Sequence, residues 1–60
     1  MSEITTRDKL ACARRELAMR QAAYPKWIGK RMTQAQADHE IAVMAAIVDD
    51  YRRQAEREGA

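Results

Sequence analysis

The strongest constraint in this 60-residue chain is one stripe behind one start signal. The start signal is "TQAQ", which puts Thr33 at an N-cap position and Gln36 three residues on. A Thr hydroxyl and a Gln amide at that spacing can each satisfy a backbone N–H of the other, the reciprocal pattern of a capping box. Behind it run Ala37, Ile41, Met44, Val48, Tyr51 and Ala55, in alternating steps of four and three. That spacing keeps apolar side chains on one side of a helix and fits an a/d seam. It predicts a helix over about 34–57. Val43 and Ile47 widen the stripe beyond a narrow seam.

The first half carries a second helical pattern. Thr5 with Asp8 at N3 starts a helix over about 5–23, and the acid complements the helix N-terminus. Leu10, Ala13, Leu17 and Tyr24 make its apolar stripe, and Ala11, Ala18 and Ala22 a second stripe of small residues. Glu16 precedes Arg20 by four, the favourable order for a surface ion pair. β-branched residues are few and never alternate with polar ones, so no strand template fits.

Between the helices lies a junction, 24–33, "YPKWIGKRMT". Pro25 lacks an N–H and disfavours helical geometry at Tyr24. The preferred reading stops helix 1 near Ala23 and begins a short helical turn over 25–29 at Pro25. The other reading is one helix running to about Ile28 with a kink. Gly29 ends the segment in either case. The chain therefore reads as one all-α domain over 1–60, an antiparallel two-helix hairpin with a Pro-containing junction.

Such a hairpin has one seam and cannot cover both sides of so wide a stripe. The core or dimer stripe is Leu10, Leu17, Ile41, Met44, Ile47, Val48 and Tyr51. A second copy would cover it, giving a homodimer with a four-helix bundle core. A host protein is the other partner the stripe admits.

Residues suited to catalysis are sparse. "DHE" at 38–40 is the one cluster of acid/base side chains, and neighbours on a helix point about 100° apart. No ligand pair forms at i, i+4, no nucleophile–base pair is visible, and no Gly-rich phosphate loop exists. One cysteine, Cys12, gives no intramolecular disulfide and no cysteine-rich zinc site. The expectation is no enzyme, no catalytic residue, no metal and no cofactor. The N-terminus has no apolar signal core, and the uncharged run "IAVMAAIV" (41–48) is shorter than the ~20 residues of a membrane span. A cytoplasmic protein without membrane contact is expected.

Charge divides the chain. Through Met32 there are eight Lys/Arg against three acids, a net of +5; from Thr33 on, three Arg against six acids, a net of −3. Tyr24, Lys26, Trp27, Lys30 and Arg31 form a candidate partner-binding patch, with aromatic anchors and a charged rim. Alternatively, Tyr24, Trp27, Ile28 and Met32 plug one end of the bundle. Nucleic acid is the alternative partner, held by Arg7, Arg14, Arg15, Lys26, Lys30 and Arg31. Those residues do not all share one helical face, and the acidic second helix opposes phosphate.

Ala13–Arg20 ("ARRELAMR"), Tyr24–Lys26 ("YPK"), Arg31–Thr33 ("RMT") and Ala37–Ile47 ("ADHEIAVMAAI") together resemble a group of small helical accessory proteins of tailed phages and prophages. The resemblance covers about two-thirds of the chain. In that pattern a Gly stands immediately before the Lys/Arg–Met pair, whereas here Lys30 separates Gly29 from it. The resemblance implies a phage accessory protein in the bacterial host cytoplasm, acting on a host factor or on nucleic-acid machinery. It implies no functional residues. The expected function is that of a non-enzymatic protein–protein interaction module, with nucleic-acid binding as the alternative.

Overall fold

A computed structural model describes residues 3–59. It contains α1, Thr6–Trp27, and α2, Gln34–Gly59, packed against each other. No strand is present among the described residues.

Both helix starts close as the side-chain chemistry requires. The Thr5 hydroxyl accepts from the Asp8 N–H at 3.1 Å, and the Asp8 carboxylate accepts from the Thr5 N–H at 3.0 Å. These bonds hold the Asp8 carboxyl below its ordinary pKa, the backbone bond most strongly. At α2 the Thr33 hydroxyl accepts from the Gln36 N–H at 3.1 Å, and the Gln36 amide oxygen accepts from the Thr33 N–H at 2.8 Å.

The break expected after Ala23 does not occur: α1 continues through Pro25 to Trp27. The reason is position. A proline in the last turn removes only the bond to the carbonyl four residues back, here that of Gln21, an exposed residue whose carbonyl water can reach. Continuing the helix puts Tyr24 and Trp27 three apart on one side, with ring centroids 5.4 Å apart. Tyr24 is buried in return.

The chain then reverses through a tight turn. Ile28 (φ −62°, ψ 130°) and Gly29 (φ 85°) occupy the two central positions of a type II turn. The Lys30 N–H donates to the Trp27 carbonyl at 2.9 Å, closing it. The same carbonyl accepts from Arg31 at 2.8 Å and Met32 at 3.3 Å, so the last carbonyl of α1 is fully engaged. Only a residue tolerating positive φ fits the third turn position, and Gly29 stands there.

Leu10, Ala13 and Tyr24 of α1 and Ala37 and Met44 of α2 form the buried seam, with Leu17, Ile41, Val48 and Tyr51 half-buried beside it. A polar clamp fastens each end. Near the termini, the Thr6 hydroxyl donates to Glu58 at 2.8 Å, and the Gln54 amide donates to Glu58 at 3.0 Å. Near the turn, the Arg20 guanidinium donates to the Glu40 carbonyl at 2.9 Å and to the Glu16 carboxylate at 2.9 Å. Pairing residue 6 with 58 and residue 20 with 40 makes the helices antiparallel.

The Cα envelope measures 44 × 24 × 13 Å. A helix with its side chains is about 10–12 Å across, so the molecule is two helices wide and one helix thick. A one-layer structure has a seam but no enclosed interior, and among the described residues no large side chain is completely buried.

Candidate functional site

A single layer has two broad faces, and here they differ in chemistry. One face carries a groove of about 600 Å³ lined by Ile4, Cys12, Ala13, Met44, Ile47 and Tyr51, with Asp8, Lys9 and Glu16 at its margin. Ile4, Met19, Val43 and Ile47 are the exposed large hydrophobic residues. Met19 lies seven residues beyond Cys12, and Val43 four before Ile47, so helical spacing places both on this same face. The exposed apolar side chains are therefore gathered on one side rather than scattered.

Local rules explain three of them. Ile4 occupies the position before the N-cap, where an apolar side chain normally packs against the fourth helical residue. That residue is Lys9, so Ile4 finds no partner in its own helix and remains 76% exposed. Val43 and Ile47 stand on the flank of the α2 stripe, beyond the reach of a single facing helix.

The opposite face carries a groove of about 540 Å³ lined by Arg7, Leu10, Ala11, Arg14, Arg52, Ala55 and Glu56. Here the groups are charged, and two arginines of α2 pair with three of its acids. Arg52 pairs with Asp49 at 2.6 Å and Glu56 at 3.1 Å, and Arg53 with Asp50 at 2.7 Å. The Asp49 carboxyl is held below its usual range by the Arg52 hydrogen bond and the nearby Arg53 charge. On α1, Arg7, Arg14, Arg15 and Lys26 are exposed and make no ion pair among the described residues. Charge pairing between the two helices is confined to Arg20 with Glu40, at 3.7 Å.

The junction residues separate. Tyr24 is buried against the seam, with the Arg20 guanidinium 6.0 Å from its ring. Trp27 is half-buried, and the Arg31 guanidinium lies 5.5 Å from its ring. Lys26, Lys30 and Arg31 are exposed. Trp27 and Arg31 thus present a stacked cation–aromatic pair at the turn end, while Tyr24 belongs to the packing. Of the stripe residues, Leu10 and Met44 are buried and Ile47 is exposed on the apolar face. Sequence reasoning passed over Ile4, Cys12 and Met19 as parts of a surface. The signal for two of them is a run of Cys12, Met19 and Ala23 at i, i+7 and i+11.

Among the described residues no group of three His, Cys, Asp or Glu could hold a metal ion. No described helix is long and apolar enough to cross a membrane. Comparison of the chain with protein-family models, with curated proteins and with solved structures finds no match.

Proposed function

We propose that the chain is a non-enzymatic interaction protein of the phage accessory type whose apolar face is covered by a second copy of itself. The observation that carries this reading is the one-layer build with its uncovered hydrophobic residues on one side. The chain exposes 4711 Å², whereas a compact monomer of its 6.9 kDa exposes about 4,000 Å². The excess, roughly 700 Å², approaches the ~800 Å² per partner of a standard interface.

Charge placement supports a second copy as the occupant. Lys9 and Glu16 border the apolar groove and are equally spaced about Cys12 and Ala13. A two-fold axis crossing α1 there sets Lys9 of each copy opposite Glu16 of the other, twice over, as an isologous contact requires. The two layers together make a four-helix bundle in which all neighbouring helices run antiparallel. A host factor would then meet the remaining surface, with Trp27 and Arg31 as its anchor.

The test is Ile47→Asp, which puts a carboxylate on the apolar face while leaving the buried seam intact. Its expected effect is a dimer Kd at least about 30-fold weaker, or ~2 kcal/mol. Sedimentation velocity reads it, with far-UV circular dichroism checking that the helices persist. Unchanged mass in a helical variant would show that the face is not the contact.

A further inference from the structure

We infer that the outer surface of α1 is a docking strip for the phosphate backbone of duplex nucleic acid. Arg7, Arg14, Arg15 and Lys26 are all exposed. At about 100° per residue they occupy roughly a third of the helix circumference. No single stripe contains them, yet all four face outward on one side. They extend over 20 residues of one continuous helix, about 28 Å, close to one turn of B-form duplex. Lys30 and Arg31 continue the positive charge around the turn.

Two observations weaken the objection that the second half keeps a net charge of −3. Its acids Asp49, Asp50 and Glu56 are engaged by Arg52 and Arg53 on the same helix. Glu40 is engaged by Arg20, and Glu58 by Thr6 and Gln54. Arg7, Arg14, Arg15 and Lys26 make no ion pair among the described residues, and Asp8 is turned into its capping box with Thr5.

The composition of the strip distinguishes a polyanion from a protein partner. Between the basic side chains lie Ala11, Ala18 and Ala22, with Gln21 beside them. A protein interface is built around a buried core of large apolar or aromatic groups. The one large apolar side chain beside the strip is Met19, at its border with the apolar face, while that face has several. Dense positive charge on a flat, small-residue helix surface suits phosphates, which are contacted without regard to sequence. The strip stays outward when the apolar face is covered, but its argument does not depend on that dimer.

The experiment is fluorescence anisotropy of the full-length chain with short labelled duplex DNA and duplex RNA across a salt series. Four phosphate contacts give a log–log slope of about −3 to −4, so affinity falls about 100-fold between roughly 50 and 200 mM salt. The double variant Arg14→Glu/Arg15→Glu, helical by circular dichroism, is expected to bind at least about ten-fold more weakly and to show a shallower slope. Arg57→Glu on α2, which reverses an exposed charge without breaking an ion pair among the described residues, is the control and should keep the wild-type slope within about one unit. No binding to either duplex at low salt would overturn the inference, as would a slope the double variant leaves unchanged. A polyglutamate of equal charge binding more tightly than either duplex would also overturn it, assigning the strip to acidic protein.

Discussion

The two faces of the hairpin are built in different ways. The apolar face is a joint product: Ile4 and Cys12 come from α1 and its lead-in, Met44, Ile47 and Tyr51 from α2. It exists only while the turn and both clamps hold the helices in register. The basic strip belongs to α1 alone and takes no side chain from α2. One surface is a property of tertiary structure, the other of a single amphipathic helix. A small chain can present two independent surfaces in this way, because damage to one need not reach the other.

That contrast can be attacked from both sides. The largest separation is expected from the two variants above. Ile47→Asp should lose self-association by at least about 30-fold while the charge of α1 is untouched. Arg14→Glu/Arg15→Glu should do the reverse, leaving mass and melting temperature unchanged while polyanion binding drops. A variant that lost both properties would erase the distinction.

Gly29→Ala comes next. A Cβ there meets nothing within 4 Å, so the penalty is wholly that of a positive φ. About 1–2 kcal/mol of hairpin stability should be lost, visible in thermal melts. The apolar face should weaken with it, since the turn sets the register of its two halves. Equal loss of both surfaces would mean that α1 does not stand by itself as a charged helix.

A Cys12 probe sharpens the geometry of the dimer. With the two-fold axis crossing α1 at Cys12–Ala13, mild oxidation with diamide should join two copies through their exposed Cys12 thiols. A covalent dimer on a non-reducing gel, lost in Cys12→Ser, is expected. A dimer in solution that never cross-links would move the axis elsewhere.

The smallest effect is that of acid. Glu58 accepts from Gln54 and Thr6 and is held below its ordinary pKa by those bonds, with Asp8 and Asp49 shifted in the same direction. A depressed carboxyl stabilises the fold while ionised. That contribution is complete above the unfolded value near pH 4 and is lost as pH falls through the lower folded value. The melting temperature should therefore decline on acidification below about pH 4, and less steeply in Glu58→Gln. Protonating Glu58 weakens the terminal clamp and loosens the apolar face, while the arginines of α1 keep their charge.

Much of this architecture could be read from residues in order. Capping boxes are local, so Thr5–Asp8 and Thr33–Gln36 are legible at three-residue range. The a/d seam from Ala37 to Ala55 is legible because helical period is a property of spacing. Pro25 misleads because its local rule is strong, yet in a last turn it costs one bond to an exposed carbonyl, while burial and stacking of Tyr24 and Trp27 favour continuing the helix. The assignment of Tyr24 to the packing and Trp27 to the surface follows from that continuation. The apolar face was legible only in fragments. Its members are distributed over the lead-in, α1 and α2, and only the type II turn at Ile28–Gly29 decides which flanks meet. Charge asymmetry was legible as a number; the pairing of Arg52 and Arg53 with Asp49, Asp50 and Glu56 was not, because it depends on their rotamers.

The central claim is that one layer of two helices needs a second layer of the same kind. Sedimentation equilibrium of the purified wild-type chain over a dilution series tests it most directly. The account predicts a mass of two chains that gives way to one on dilution, with melting temperature rising with concentration. A single-chain mass at every concentration, with a cooperative melt that dilution does not shift, would contradict it.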